Sequence, residues 1–166
     1  MEAFDDSVGD VWSATAGGFA LAAVRDRPVL ESLYDGVGSR FIRIGIREDG
    51  ELCGWAVLLA TPFHGHKHFG NLKLGSIVDL LAAPGYEARL IRAAVERLQR
   101  EGVDLIVTNQ SLGSLLRGLN GAGFLEGPSN FLFAASPKLV ELVGPLQARL
   151  PTIHLTRGDG DGPINL

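Results

Sequence analysis

The hydrophobic pattern changes in the middle of the chain in a way that few folds can accommodate. The segment LKLGSIVDLLAA at residues 72–83 is almost wholly apolar, as expected of a buried strand, and Pro84 and Gly85 interrupt it. Over residues 86–101 the apolar side chains recur at helical spacing, and residues 103–108, VDLIVT, form a second apolar run. Short apolar strands are typically buried on both faces of a sheet. The pattern therefore predicts two parallel strands joined by a helical crossover.

The segments before this crossover have the pattern of an antiparallel meander. Residues 41–47, FIRIGIR, place an isoleucine at every second position, and this period of two indicates a half-buried strand. The turn EDGE at residues 48–51 joins that strand to an apolar strand at residues 52–60. A loop at residues 61–70 then leads into the strand that precedes the crossover.

The rest of the chain carries further helix and strand signals. We predict helices at residues 25–36, 111–123 and 136–144, and strands at residues 130–136 and 152–156. Pro28 and Pro137 suit the first turns of their helices, and Ser111 is the predicted N-cap of its helix. The element order predicts an α+β fold, with a mixed, mostly antiparallel sheet and helices on both faces. We expect one domain at residues 1–158 and a flexible C-terminal tail at residues 159–166.

Composition and charge exclude several classes of function. The chain has 166 residues and a formal net charge of -4, without the basic stripe that a nucleic-acid-binding surface needs. No segment approaches the roughly 18 consecutive apolar residues of a membrane span, so we predict none. The acidic start of the chain and its single cysteine, Cys53, favour a protein of the reducing cytoplasm.

The element order and several short motifs resemble the GNAT acyltransferases (acyl-CoA N-acyltransferases). APGYEARLIRAAVERLQREG at residues 83–102 resembles the family's segment for the pyrophosphate of acetyl-CoA, and LLRGLNGAGF at residues 115–124 resembles a later segment that ends in Gly-Phe. FDDSVGDVWSA at residues 4–14 and TRGD at residues 156–159 resemble parts of the C-terminal module of bacterial proteins with two GNAT-like modules in tandem. The resemblance implies a GNAT-like fold and transfer of an acetyl group from acetyl-CoA to a small-molecule or peptide amine.

The resemblance also implies which residues would hold acetyl-CoA. They lie on the strand before the crossover helix and at the start of that helix: Leu80, Leu81, Ala82, Gly85, Tyr86, Arg89 and Arg92. A helix N-terminus offers free N–H groups and a partial positive charge to phosphate, and Arg89 and Arg92 could meet phosphate oxygens. The family's glycines are absent between Tyr86 and residue 102, and its frequent asparagine and tyrosine fall on Leu112 and Leu119. A plain strand-to-helix turn is the alternative.

Asp79 is the candidate general base. It stands in an otherwise apolar strand, where a charge is costly unless it is paired or hydrogen-bonded. Burial could raise its pKa toward that of a base that deprotonates an amine, and a carboxylate on this strand often has that role in GNAT enzymes. The alternative is that Asp79 caps a neighbouring loop or pairs with an arginine.

Three histidines at alternate positions, His64, His66 and His68, form a second candidate cluster. In an extended segment they could converge on zinc or copper. They lie in a polar, glycine-containing loop without a nearby cysteine or carboxylate cluster, which favours a solvated hairpin tip. We therefore predict no metal site.

Two functions are compatible with these patterns. In the first, a GNAT-type N-acyltransferase uses Asp79 to deprotonate an amine, and backbone N–H groups of residues 79–83 stabilise the oxyanion. In the second, a non-catalytic GNAT-like module supports or binds a partner, either another GNAT-like module or a second copy. The missing glycines, asparagine and tyrosine favour the second function.

Overall fold

The computed structural model describes residues 1–35, 40–67, 70–127 and 133–160. The helices are α1 (Ser7–Thr15), α2 (Arg27–Tyr34), α3 (Glu87–Arg100), α4 (Gly113–Gly121), α5 (Pro137–Val143) and α6 (Leu146–Arg149). The strands are β1 (Leu21–Ala22), β2 (Ile42–Glu48), β3 (Glu51–His66), β4 (Gly70–Ala82), β5 (Leu105–Thr108) and β6 (Ile153–His154). Three short 3-10 helices cover Ala16–Gly18, Leu150–Thr152 and Arg157–Asp159. None of the described helices is long and apolar enough to cross a membrane.

A four-stranded mixed sheet in the order β2-β3-β4-β5 forms the centre of the fold. The strands β2, β3 and β4 are antiparallel, and β5 pairs parallel to β4 after the crossover through α3, as predicted. The tight turn between β2 and β3 consists of Asp49 and Gly50, whose φ angles of 50° and 88° suit a two-residue hairpin loop. The predicted α+β architecture is confirmed.

Helices cover both faces of the sheet because the apolar residues of β3 alternate between them. Trp55 and Val57 pack in the core under α1 and α2, whereas Ala56 and Leu58 pack in the core under α3 and α4. The α1–α2 core also contains Phe4, Val8, Val11, Leu30 and Tyr34. The α3–α4 core contains Leu80, Leu90, Ile91, Ala94, Leu98, Leu115 and Leu119.

Capping residues set the start of two predicted helices. The Asp26 side chain accepts the Val29 N–H at 3.1 Å at the start of α2. Ser136 caps α5 by accepting the Leu139 N–H at 3.2 Å, with Pro137 in the first turn as predicted. The predicted N-cap of α4 is wrong: Leu112 holds that position, and the Ser111 hydroxyl instead donates to the Ile153 carbonyl at 2.7 Å.

Two strand predictions need correction. The predicted loop at residues 61–70 is mostly strand, because β3 runs on to His66 and keeps pairing with β4. The strand β5 is not buried on both faces: Leu105 is 45% exposed, since β5 is the last strand of the sheet in the described part of the chain. The helix α1 was not predicted.

The C-terminal predictions are partly outside the described residues. Of the predicted strand at 130–136, residues 130–132 are not described, and residues 133–136 are not in a strand. The predicted strand at 152–156 is limited to β6, which pairs with β1 in a separate two-stranded sheet. The predicted tail begins at Asp159, which belongs to the last 3-10 helix, while residues 161–166 lie outside the described residues.

Candidate functional site

Asp79, the candidate base, is sealed inside the protein by two partners. It is 1% exposed, on the face of β4 that packs against α1 and α2. Its Oδ1 accepts from Arg25 Nε at 3.0 Å, and its Oδ2 accepts from the Tyr34 hydroxyl at 3.0 Å. Arg25 and Tyr34 are themselves 1% and 0% exposed. The structure therefore shows the pairing with an arginine that the sequence left open as the alternative.

Arg25 extends this cluster to the C-terminal segment. A terminal nitrogen of its guanidinium donates to Asp159 Oδ2 at 2.6 Å and to Thr156 Oγ1 at 3.2 Å. Thr156 and Asp159 cap the last 3-10 helix reciprocally, and Thr156 Oγ1 accepts the Gly158 N–H at 3.1 Å. One guanidinium thus ties β4 to the end of the described chain. We call Arg25, Tyr34, Asp79, Thr156 and Asp159 the Arg25 cluster.

Burial dominates the electrostatics of this cluster. Desolvation raises the pKa of Asp79, against the attraction of Arg25, and the neighbouring Asp159 raises it further. Desolvation and the charge of Asp79 raise the pKa of Tyr34, so its hydroxyl keeps the proton that it donates. Burial alone would lower the pKa of Arg25, but Asp79 and Asp159 together raise it. Arg25 therefore stays charged, and Asp79 and Asp159 share it as their common counterion.

The C-terminal segment covers the edge of β4 that continues beyond Ile77, where the pairing with β5 ends. The pairing between β4 and β5 stops at Ile77 and Thr108, while β4 continues to Ala82. The Ala83 N–H donates to the Cys53 carbonyl of β3. Backbone groups of residues an odd number apart along a strand point to opposite edges, so the Leu80 carbonyl points away from β3. There His154 Nε2 lies 3.1 Å from the Leu80 oxygen. The chain itself occupies the place where an extended ligand would lie along β4.

His154 is held as a neutral, fully buried ring. It is 0% exposed and stacks on Phe19 at 5.3 Å between ring centroids. Burial, with a smaller contribution from Arg25, lowers its pKa to about 3. A neutral ring with its proton on Nε2 donates to the Leu80 carbonyl, which matches the observed contact.

The donors at the start of α3 are bonded to carboxylates of the same chain. Gly85, with a φ of 93°, forms the turn before the helix, and its N–H donates to Glu87 Oε2 at 2.8 Å. The Tyr86 hydroxyl is hydrogen-bonded to Glu48, and Arg89 forms an ion pair with Glu48 at 3.3 Å. Three of the groups predicted to bind pyrophosphate therefore already have acidic partners.

Comparison with protein-family models gave no match, and neither did comparison with curated protein sequences. Solved structures do match. A ribosomal-protein-alanine N-acetyltransferase from Brucella melitensis biovar Abortus 2308 is 15% identical, over 78% of this chain and 91% of that one, with a TM-score of 0.54. An acetyltransferase from Trypanosoma brucei is 14% identical over 80% and 96% of the two chains, with a TM-score of 0.50. A GNAT family acetyltransferase from Staphylococcus aureus is 15% identical over 65% and 73%, with a TM-score of 0.47. The chain has the GNAT fold.

Within this GNAT fold, the other predicted cofactor residues fall in two settings. Leu80 and Leu81 are 1% exposed and Ala82 is 9% exposed, so their side chains belong to the cores. Arg92 lies on the solvent side of α3, beside Arg117 of α4. The structure therefore places the side chains of Leu80, Leu81 and Ala82 in the cores and the side chain of Arg92 at the surface.

Sequence reasoning missed the residues that decide the state of Asp79. A buried carboxylate needs a buried cation or donor, and the apolar neighbours of Asp79 in the sequence are the signal of that need. Arg25 precedes α2 and Tyr34 is the last residue of that helix, so both are far from β4 in sequence. Nothing local distinguishes Arg25 from Arg27. Asp159 falls in the segment that the sequence predicts to be a flexible tail.

His64 and His66 lie at the end of β3, where it approaches the hairpin turn to β4. Gly65, with a φ of 62°, and a register shift between Phe63 and His66 interrupt the alternation that would place His64 and His66 on one face. No group of three potential metal ligands occurs among the described residues, and His68 lies outside them.

Proposed function

We propose that this chain is a non-catalytic GNAT-fold module that supports or binds a partner GNAT-like module. The observation that carries the proposal is the covered edge of β4, where His154 bonds the Leu80 carbonyl. In the resemblance stated above, this strand would contact acetyl-CoA. A ligand that paired with the edge would have to displace a buried histidine and the C-terminal segment attached to it.

The environment of Asp79 supports the same conclusion. A general base must come within about 2.6–3.2 Å of the proton that it abstracts, directly or through one water. Both oxygens of Asp79 are bonded to buried groups, and its side chain is 2% exposed. An amine would reach this carboxylate only if Arg25 and Tyr34 moved away.

A partner would cover apolar surface that now faces water. Leu142 on α5 is 78% exposed, Leu125 after α4 is 95% exposed, and Phe133 before α5 is 45% exposed. Removing these apolar side chains from water would favour association with a partner.

An acetyl-CoA-dependent N-acyltransferase is the second candidate. It is supported by the β4–β5 pairing, which stops at Ile77 although β4 continues to Ala82, so that in the described part of the chain His154 of the C-terminal segment bonds this unpaired end of β4. In such an enzyme the segment carrying His154 would swing out, and Asp79 would act on a small-molecule or peptide amine.

Calorimetry with acetyl-CoA and with ADP separates the two functions. ADP carries a diphosphate but no thioester arm, so any excess affinity of acetyl-CoA over ADP reports contacts made by that arm. We expect no excess affinity and no amine-dependent release of the CoA thiol. If the arm bound, acetyl-CoA at 100 times its Kd would stabilise the protein by about 2.7 kcal/mol. Thioester-dependent stabilisation together with thiol release would refute the non-catalytic assignment.

A further inference from the structure

The C-terminal segment (residues 150–159) is bonded mainly to parts of the chain that are distant from it in sequence. Its strand β6 pairs in parallel with β1, near the other end of the chain. Ile153 and His154 are fully buried, and Thr156 is 5% exposed. Apart from β1, the distant hydrogen-bond partners of the segment among the described residues are Ala20, Arg25, Leu80, Asn109, Gln110 and Ser111.

These contacts are the same whichever copy of the chain supplies the segment. The segment lies along the edge of β4 and beside Arg25, so the same segment of a second copy can occupy the same place. The 2.6 Å ion pair between Arg25 and Asp159 would be kept. The contact between His154 and the Leu80 carbonyl, at 3.1 Å, would be kept as well. Only the connection that leads from α5 to the segment has to differ between the two arrangements.

That connection is short and contains a glycine in a conformation that other residues disfavour. Gly144 follows α5 with a φ of 85° and a ψ of -167°, and Pro145 follows it with a φ of -58°. The four residues of α6 then lead directly into the segment. An L side chain disfavours the positive φ, and proline fixes its own φ, so few conformations can close this turn. Short, constrained hinges favour the exchange of segments between copies, because an extended connection does not need the turn.

Exposed apolar side chains flank the connection on both sides. Leu142 on α5 is 78% exposed, and Leu150 at the start of the segment is 47% exposed. If two copies exchange their segments about a two-fold axis, the two connections pass each other and bring these leucines into one interface. Their removal from water would favour the dimer beyond the contacts that it shares with the monomer.

We propose that this chain forms a dimer with a second copy by exchanging the C-terminal segment. In the dimer, Asp159 and His154 of each copy complete the Arg25 cluster and the edge of β4 of the other copy. The interface thereby contains a buried ion pair, a buried ring and the β1–β6 pairing. The inference goes beyond the proposed function, because the exchange needs neither an acetyl-CoA site nor a second kind of module.

Light scattering coupled to gel filtration measures the dimer. The protein is first refolded from urea at about 0.5 mM chain, a concentration that populates even a dimer with a Kd of about 0.1 mM. Refolding is needed because the segment must detach before it is exchanged. We expect the wild-type protein to give both monomer and dimer.

Gly144→Ala should raise the dimerisation constant by roughly tenfold or more, because alanine disfavours the φ of 85° in the monomer and each dimer relieves two such positions. Its Cβ would meet only Arg149 Nε, at an ordinary contact distance of 3.8 Å, so no clash contributes. Gly50→Ala is the matched control. Gly50 has a φ of 88° and open space around its Cβ, but it lies in the β2–β3 turn. Its substitution should leave the dimerisation constant unchanged.

A pair of cysteines shows whether the dimer is an exchanged one. Leu21 and Ile153 are direct neighbours in the β1–β6 pairing, so Leu21→Cys with Ile153→Cys places two thiols within reach of a disulfide. Cys53→Ala removes the native thiol. After oxidation, the monomer should carry the disulfide within one chain, which also shows that the variant folds. The dimer should carry it between chains and run as a covalent dimer on a denaturing gel.

Three results would overturn the proposal. The first is the mass of a single chain for both the wild-type protein and Gly144→Ala. The second is a gain in Gly144→Ala no larger than that in Gly50→Ala, which would trace association to a general loss of stability. The third is an oxidised dimer that separates into single chains on the gel, as two closed copies in contact would do.

The mass measurements do not use the introduced cysteines, so they decide the question even if the cysteine variant does not fold. None of these experiments contains acetyl-CoA. Their outcome is therefore independent of the calorimetry that tests the proposed function.

Discussion

Replacing Arg25 by methionine should destabilise the protein by about 3–5 kcal/mol at neutral pH, the usual cost of removing one member of a buried ion pair. Arg25 and Asp79 are bonded at 3.0 Å with side chains that are each 2% exposed, and Arg25 also holds Asp159 at 2.6 Å. Methionine keeps much of the aliphatic volume but leaves the charge of Asp79 buried without a counterion. For a chain of this size the loss corresponds to a Tm lower by roughly 6–20 °C.

The penalty should depend on pH in a defined direction. The pKa of Asp79 in the folded protein lies above its unfolded value of 3.8, mainly because of burial, and loss of Arg25 raises it further. Between those two values the folded state holds a proton that the unfolded state has lost, so stability falls as the pH rises through the folded pKa. The Arg25→Met penalty should therefore be larger at pH 7.5 than at pH 5.

Urea unfolding followed by the fluorescence of the two tryptophans, Trp12 and the buried Trp55, measures these effects. Arg27→Met is the control, because Arg27 also forms two ion pairs but its side chain is 44% exposed, and screening by water should make its loss small. Adding Asp79→Asn to Arg25→Met should recover part of the stability by removing the unpaired charge. The reasoning fails if Arg25→Met costs no more than Arg27→Met, or if the double variant is as unstable as the sum of the single variants.

Three further substitutions test other parts of the fold. Gly158→Ala should cost about 1–3 kcal/mol in urea unfolding, because its Cβ would clash with the Tyr34 hydroxyl; a neutral result would show that the C-terminal segment can shift. The pKa of His154 falls from 6.5 to about 3 on folding, so the stability of the wild-type protein should drop as the pH falls below 6.5. His154→Gln should flatten this dependence of stability on pH in thermal melts. An unchanged slope would show that other groups cause the pH dependence. Leu142→Glu should change the unfolding free energy by less than about 0.5 kcal/mol, because Leu142 is 78% exposed, whereas a loss typical of core residues would show that the chain itself buries this side chain.

Much of the fold could be predicted from short stretches of sequence, because the signals are local. The hairpin between β2 and β3 depends on a period of two and on the turn residues Asp49 and Gly50. The extents of α3 and α5 follow from apolar spacing and from the cap at Ser136. The GNAT resemblance drawn from this order was confirmed at the level of the fold.

The ends of long strand pairings could not be predicted from local sequence. The strand β3 extends to His66, although its last residues resemble a polar loop, because β4 supplies partners for them. In the same way, the apolar composition of β5 predicts burial. Leu105 is nevertheless exposed, because β5 is the last strand of the sheet in the described part of the chain.

The state of the candidate site was decided by contacts between distant segments. The sequence shows that Asp79 needs a partner, but Arg25 lies 54 residues away and the histidine that bonds Leu80 lies 74 residues away from it. A buried carboxylate requires a cation or donors for its charge, and this physical requirement does not specify which of many arginines will supply them. Only the folded chain brings Arg25, Tyr34 and the C-terminal segment to β4, where Arg25 and Tyr34 bond both oxygens of the candidate base Asp79.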